Sequence, residues 1–370
     1  MASLGTMKPE IVADGVLHVR TPLIISKPMR CASPHHRPTP PLPSTTDRSD
    51  PLTASPTPDI RSERLGKDVY IKLDALQPSG SFKLRGIGYT CQKAVAEGAR
   101  CLISSSGGNA GLATAYAGQR LGAPTTVVVP ETTPEFIRDR LRSYGATVEV
   151  HGSQWSEANE RAVALCAAAD GKLVHPFEDV DTWTGHATVV HEMRDDLAAL
   201  GLGDVIPGAV ITCVGGGGLL AGILQGLDEV GWGRDVPVVA AETVGADSLA
   251  TSLDEGRVAT LPGIASVAKS LGAASPSSAV FDMCVARRAD RLVRSWRVED
   301  ARAVEACMRF ADEHRLLVEP ACGAALAAVY SGECEHLEDV EGPVIVEVCG
   351  GAIVDRKTME GYARQFGLDF

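Results

Sequence analysis

From residue 69 onward, short apolar runs alternate with stretches of helical periodicity, and this alternation constrains the fold more than any other feature. A strand, a helix and a further strand in succession form a parallel βαβ unit. The pattern therefore predicts an α/β fold with parallel or mixed twisted sheets covered by helices. The predicted strands are 69–73, 101–105, 125–129, 147–151, 210–214, 238–242 and 344–349, and the predicted helices include 110–121, 134–144, 155–169, 219–227 and 298–314.

The predicted strands fall into two groups, before and after about residue 180, in a chain of 370 residues. This length and grouping predict two α/β lobes with a cleft between them. Residues 26–64 differ, because they contain nine prolines and no periodic apolar pattern. We expect a disordered insertion there, since such a stretch cannot bury enough surface to offset its ordering entropy. A transit peptide is the competing interpretation, but the segment lies inside the chain and carries acidic residues.

Composition narrows the class of partner. The net charge of −12 argues against nucleic acids and anionic membranes, and the chain has no apolar run near 18 residues. Small molecules are the expected ligands. Ten cysteines occur without a C-x-x-C pair, a pattern typical of buried thiols in a reducing compartment. With no secretory signal at the acidic N-terminus, we expect a cytoplasmic protein.

Lys83 is the first candidate for chemistry. The predicted strand 69–73 ends at a Pro-Ser-Gly turn, and Lys83 follows at the start of a helix. The positive end of the helix dipole and partial burial both lower the pKa of a lysine. A neutral lysine can form a Schiff base with an aldehyde cofactor and later act as a base. A solvated lysine at a helix start is the alternative interpretation.

Two glycine-containing loops each connect a strand to a helix. The loop SSSGGNAG, 104–111, offers hydroxyls and amides that suit a carboxylate, and Asn109 could bond a phenolate or a carboxylate. An ordinary loop with an asparagine cap is equally compatible. The run Gly215 to Gly218 lets backbone N–H groups converge on a phosphate. A flexible linker is the alternative, although the apolar flanks on both sides disfavour it.

Cys349 ends the last predicted strand at a Gly-Gly turn. The carboxyl end of a parallel strand faces the ligand crevice of an α/β protein, so this thiol could donate a weak hydrogen bond to a ring nitrogen. Most buried cysteines are inert core residues, which is the alternative. Glu347, two residues earlier, is expected on the same face of the strand.

Several longer motifs occur in one order: PSGSFKLRG, SSSGGNAG, VGGGGLLAG, ETVGADS, EPACGAALAAVY and VCGG. Together they resemble the pyridoxal-phosphate-dependent L-serine dehydratase/L-threonine deaminase family, of the two-domain, tryptophan-synthase-β-like fold (fold type II). The resemblance covers residues 65–352 nearly continuously, together with 16–24. It implies a homodimer whose subunits each have a large cofactor-binding domain (65–76 and 181–370, with 1–25 as its N-terminal segment) and a small substrate-clamp domain (77–180).

The resemblance also implies roles for individual residues. Lys83 would be the Schiff-base lysine and base, Phe82 would flank the pyridine ring, and Asn109 would bond its 3′-oxygen. Cys349 would meet the pyridine nitrogen, and the phosphate would be held by Gly215, Gly216, Gly217, Gly218 and Leu219.

For the substrate, the resemblance implies that Glu242 lies near the leaving hydroxyl and that the carboxylate is held by Ser105, Ser106, Gly108, Asn109 and Ala110. A monovalent cation such as K⁺ would be bound by backbone oxygens of Gly215, Ala246, Leu271 and Ala273.

The implied activity is β-elimination of L-serine and L-threonine to pyruvate or 2-oxobutyrate plus ammonia. A thiol beside the pyridine nitrogen fits elimination, because it does not keep that nitrogen protonated. Three alternatives are a threonine deaminase of isoleucine biosynthesis, a serine racemase-like enzyme and a non-catalytic amino-acid-binding relative. The first would need a C-terminal regulatory domain, and the residues after Gly351 are too few for one. Racemases of this fold carry a serine where this chain has Gly107, and Lys83 counts against a non-catalytic relative.

Overall fold

The computed structural model describes residues 20–25, 61–62 and 66–369. The predicted insertion therefore lies outside the described residues except for 61–62, which form a short strand. In chain order, the strands are β1 (Leu23–Ile25), β2 (Arg61–Ser62), β3 (Lys67–Lys72), β4 (Leu102–Ser104), β5 (Thr125–Val129), β6 (Thr147–Val150), β7 (Lys172–Leu173), β8 (Ala209–Cys213), β9 (Val238–Thr243), β10 (Val293–Val298) and β11 (Val344–Glu347).

The helices cover both sheets. They are α1 (Lys83–Ala96), α2 (Asn109–Leu121), α3 (Glu135–Ser143), α4 (Trp155–Ala169), α5 (Val180–Ala199), α6 (Gly218–Glu229), α7 (Ser248–Glu255), α8 (Ser278–Arg288), α9 (Asp300–His314), α10 (Pro320–Tyr330) and α11 (Arg356–Gln365). None of the helices in the described residues combines the length and the hydrophobicity that a membrane crossing requires.

The strands form two sheets. The larger has the order β1-β3-β11-β8-β9-β10, with β2 also paired to β3. Its strands from β3 to β10 in this order are parallel, and β1 and β2 are antiparallel to β3. The smaller sheet has the order β6-β5-β4-β7 and is parallel throughout. The predicted α/β architecture with parallel and mixed sheets is confirmed.

The register of the larger sheet places three strand ends together. Val344 of β11 pairs with Val69 of β3 on one side and with Ala209 of β8 on the other. Because all three strands run in the same direction, the turn after β3, the glycine run after β8 and the Cys-Gly-Gly turn after β11 emerge at the same edge. The three motifs that the sequence analysis treated separately therefore meet.

A buried network of charged side chains anchors the start of α1. Arg85 is fully buried and donates to Asp74 (Nε to Oδ2 2.6 Å) and to Glu192 of α5 (Nη1 to Oε1 2.8 Å). Lys72, also fully buried, lies 2.7 Å from both Glu192 and Asp196. Because a buried charge needs compensation, these contacts fix the helix start against β3 and α5.

Candidate active site

The start of α1 and the end of β11 are joined through the backbone. Phe82 N donates to Cys349 O (3.0 Å), and Gly351 N donates to Gly80 O (2.9 Å). Two turns that are far apart in the chain thus form one wall, with Lys83 and Cys349 on it.

Lys83 is the first residue of α1, and its ammonium group donates to the carbonyl oxygen of Pro176. Its Nζ lies 5.1 Å from the centroid of the Phe82 ring. Burial lowers the pKa of Lys83 to about 8, although Cys213, Cys349 and Glu319 act in the opposite direction. A substantial fraction of the amine is therefore neutral near physiological pH, as expected for a nucleophile or base.

The glycine run after β8 has the properties of an anion cup. Val214 N donates to Ala241 O and Ala221 N donates to Gly217 O, both at 2.9 Å. Between these two bonds, the backbone hydrogen bonds of the described residues use none of the five N–H groups from Gly215 to Leu219. Gly217 has a φ of +95°, which only glycine adopts readily. Unused N–H groups at the start of α6 form a site for a phosphate.

Asn109 begins α2 and is buried. Its Oδ1 accepts from Ala352 N (2.9 Å), and its Nδ2 donates to Glu319 Oε1 (2.8 Å) and, more weakly, to Ser270 Oγ (3.3 Å). These contacts join the loop before α2 to the turn after β11. The two sheets therefore contribute to one site.

Cys349 belongs to a small group of buried thiols. Cys213 Sγ donates to Cys349 Sγ at 3.5 Å. Contacts with Cys213 and Cys322, together with burial, raise the pKa of Cys349 well above its ordinary value. The thiol is therefore neutral, as a partner for an unprotonated ring nitrogen should be.

A cavity of about 800 Å³ brings most of the predicted site residues together. The cofactor candidates all line it, and so do four of the five residues predicted for the substrate carboxylate. The predicted residues on its wall are Phe82, Lys83, Ser106, Gly108, Asn109, Ala110, Gly215, Gly216, Gly217, Gly218, Leu219, Leu271, Ala273 and Cys349.

Three predicted residues do not line this cavity. Ser105 Oγ instead donates to Asn159 Oδ1 of α4 (2.8 Å). Glu242 is fully buried, and its two oxygens accept from Leu249 N (3.0 Å) and Ala250 N (2.7 Å) at the start of α7. Burial raises the pKa of Glu242 to about 8, despite these two bonds. Ala246 is buried near the same turn.

Glu319 is a further residue of the site, and no sequence pattern assigned it a role, although it lies in a motif that carries the resemblance. Glu319 is buried directly before α10 and lines the cavity. Burial raises its pKa to about 7, while Ser270, Asn109, Ile353 and Lys83 act to lower it. A glutamate followed by proline at a helix start indicates a helix boundary, but nothing local indicates that its side chain reaches Asn109.

Within the described residues, no group of three or more His, Cys, Asp and Glu side chains could hold a metal ion. A cation site built from backbone oxygens, as the resemblance implies, uses different ligands. Leu271 O does lie near Gly215, since a Cβ placed on that glycine would be 3.2 Å from it.

Comparison with known proteins shows the family of the chain. The family model described as "Pyridoxal-phosphate dependent enzyme" matches residues 51–350. The mouse protein named L-serine dehydratase/L-threonine deaminase is 44% identical over 83% of this chain and 93% of its own length.

Two solved structures share the fold. A fungal L-serine ammonia-lyase from Rhizomucor miehei superposes with a TM-score of 0.78 and 30% identity, covering 95% of this chain and 99% of that one. The processed form of threonine deaminase isoform 2 from Solanum lycopersicum gives a TM-score of 0.73 and 28% identity, covering 83% and 85%. The chain therefore belongs to the pyridoxal-phosphate-dependent enzymes of fold type II and, within them, to the L-serine dehydratase/L-threonine deaminase family.

Proposed function

We propose that this protein is a pyridoxal-phosphate-dependent ammonia-lyase that converts L-serine to pyruvate and L-threonine to 2-oxobutyrate, with release of ammonia. One observation carries the proposal. The Lys83 amine, with its lowered pKa, lines the same cavity as the five unused N–H groups that follow β8. Similarity to the mouse serine dehydratase and the fungal ammonia-lyase supports this assignment of substrate class.

The residues present fit pyridoxal phosphate. An amine for its aldehyde, an N–H cup for its phosphate, an amide for its phenolic oxygen and a neutral thiol for its ring nitrogen all lie on one cavity wall. Lys83, Gly215 to Leu219, Asn109 and Cys349 would hold these groups in that order. When bound, the cofactor supplies the electron-withdrawing system that acidifies the substrate Cα–H.

The remaining steps belong to the side chains of this chain. The loop from Ser106 to Ala110 at the start of α2 lines the cavity and would hold the substrate carboxylate. Once its amine is free, Lys83 removes the Cα proton, as its pKa near neutrality allows. Loss of the Cα–H and of the β-hydroxyl removes one water. The resulting enamine is released and hydrolyses to the oxo acid and ammonia.

We do not assign Glu242 as the group that protonates the leaving hydroxyl. The carboxyl is fully buried outside the cavity and already accepts two backbone N–H groups. Its position next to the turn that contains Ala246 instead supports a structural role close to the implied cation site. We propose K⁺ at the carbonyl oxygens of Gly215, Ala246, Leu271 and Ala273, and exchange of K⁺ for Na⁺ should then lower activity and Tm together.

We propose a small domain of residues 77–180 and a large domain of 65–76 and 181–370, supported by the position of the smaller sheet between residues 102 and 173. We also propose a cytoplasmic homodimer acting in amino-acid catabolism. The nine cysteines of the described residues are all free thiols, which supports a reducing compartment.

The decisive experiment compares wild type with Lys83→Ala. Purified wild type should absorb visible light from bound cofactor and release pyruvate from L-serine, whereas Lys83→Ala should lose both properties and keep its fold. Lys93→Ala is the matched control, because this lysine lies on the same helix and pairs with Asp181 at the surface. Comparable pyruvate release by Lys83→Ala would refute the assignment.

Comparing L-serine, L-threonine and D-serine as substrates separates the remaining alternatives. A racemase would form D-serine from L-serine as fast as pyruvate, and a threonine deaminase would strongly prefer L-threonine. A non-catalytic relative would turn over none of the three. Gly107, which has no side chain to donate a proton on the face opposite Lys83, favours elimination over racemisation.

A further inference from the structure

The side-chain amide of Asn109 is held on both sides. A side-chain amide has one oxygen and two N–H groups, and its orientation is inferred from its partners. Here the oxygen already accepts from Ala352 N (2.9 Å), and one N–H donates to Glu319 Oε1 (2.8 Å). The other N–H has only a longer contact, to Ser270 Oγ of the cavity wall (3.3 Å), which a ligand oxygen in the cavity would replace. Rotating the amide by half a turn would set its oxygen against the Glu319 carboxyl and its NH₂ against a backbone N–H. Only one orientation is therefore compatible with both partners.

Glu319 is itself fixed. It is 3% exposed, and its backbone N donates to Gly350 O (3.3 Å). The carboxyl packs directly on Gly351, where a Cβ would come within 2.0 Å of the Glu319 Cδ. Gly351 has a φ of +116°, so both the backbone conformation and the available space require glycine there. The second oxygen, Oε2, is buried and has no hydrogen bond of normal geometry within the described residues.

We propose that Glu319 is a positioning residue that acts through Asn109: it fixes the amide so that the cavity receives an N–H donor and never the carbonyl oxygen. The inference rests on the proposed function only in that the N–H would meet an oxygen of the bound cofactor. A phenolate oxygen gains from an N–H donor and is repelled by a carbonyl oxygen. The hydrogen bond from Asn109 forms in either ionisation state of Glu319, since a proton on Oε2 leaves Oε1 able to accept it.

Two variants separate this role from simple packing. Glu319→Leu fills similar space but cannot accept from Asn109, whereas Glu319→Gln retains an oxygen that can. We expect Glu319→Leu to lower kcat about 10- to 100-fold, the range for loss of a hydrogen bond to a charged group. Its Kd for pyridoxal phosphate should rise, and the absorbance maximum of bound cofactor should shift. Glu319→Gln should keep the wild-type spectrum and most of kcat.

A double-mutant cycle with Asn109→Ala tests whether the effect passes through the amide. In that background, Glu319→Leu should change kcat and the cofactor Kd by less than about three-fold, because no amide remains to be oriented. Full additivity, or an unchanged spectrum and Kd in a folded Glu319→Leu protein, would overturn the inference. Kd and absorbance need no turnover, so they remain informative even if serine proves not to be a substrate.

Discussion

Replacing Arg85 by methionine should cost about 3 to 5 kcal/mol of unfolding free energy, a large part of the 5 to 15 kcal/mol of a typical protein. Arg85 is fully buried and makes two short bonds to Asp74 (2.6 and 2.7 Å) and two to Glu192 (both 2.8 Å). Methionine keeps most of the volume, so little of the cost comes from a cavity. Glu192 keeps Lys72 at 2.7 Å, whereas Asp74 loses its cationic partner in a site without solvent access. One uncompensated buried carboxylate accounts for this magnitude.

Urea denaturation followed by circular dichroism measures the effect. Arg194→Met is the matched control on α5, because Arg194 is exposed and its pair with Asp195 should contribute at most about 1 kcal/mol. The double variant Arg85→Met/Asp74→Asn should lose less than Arg85→Met alone, since it removes the uncompensated charge. The reasoning is refuted if Arg85→Met unfolds within about 1 kcal/mol of wild type, or if the double variant is the less stable of the two.

Three further predictions concern Glu347, Cys349 and Gly107. Burial raises the pKa of Glu347 well above its ordinary 4.5, so wild type should lose stability as pH rises from about 4.5 toward that raised pKa. Glu347→Ile should therefore gain more over wild type at pH 8 than at pH 5 in urea titrations, and the exposed control Glu341→Gln should show no such difference. Cys349→Ala should keep bound cofactor but lower kcat for L-serine, because a neutral hydrogen bond of about 1 kcal/mol is lost; an unchanged kcat would make the thiol a packing residue. Gly107→Ser should introduce D-serine formation only together with Thr133→Ala, because a Cβ at 107 would lie 2.5 Å from Thr133 Oγ1; chiral chromatography of both variants checks this.

Much of the fold could be predicted because its strands are short apolar runs with sharp ends. All seven predicted strands are present within two residues at each end, and helix 155–169 has the predicted bounds. Strand β10 was missed because Arg294 and Arg297 interrupt its apolar pattern, as is common on a sheet edge. Helix α5 was missed as well. Two of its buried residues, His186 and Glu192, are polar, so apolar periodicity alone does not reveal its inner face.

The candidate site likewise contains residues that could be predicted from the sequence and one that could not. Lys83, Asn109 and the glycine run could be found because each is placed by its own strand end and helix start. Glu319 could not, since its partner Asn109 lies 210 positions away in the chain. Glu242 shows the opposite case. Its motif is recognisable, but the motif indicates only where the backbone runs and does not show whether the side chain lines the cavity.

The charges behind the site explain which groups there can change protonation near neutral pH. In the buried network, Lys72 and Arg85 face Asp74, Glu192 and Asp196. Arg20, at the exposed edge, pairs with Asp196, so three positive charges meet three negative ones. Glu347 is an additional carboxyl with no partner for either oxygen among the described residues, so ionising it would leave an uncompensated negative charge inside the sheet. It therefore stays protonated, and the Cys349 thiol stays neutral because its contacts with Cys213 and Cys322, together with burial, raise its pKa. Lys83, with a pKa of about 8, and Glu319, with a pKa of about 7, remain as groups on the cavity wall that titrate near neutrality. We therefore expect the pH dependence of kcat to follow the Lys83 amine, and Glu319→Gln should leave the pH profile of kcat unchanged, because Glu319 accepts from Asn109 in either ionisation state.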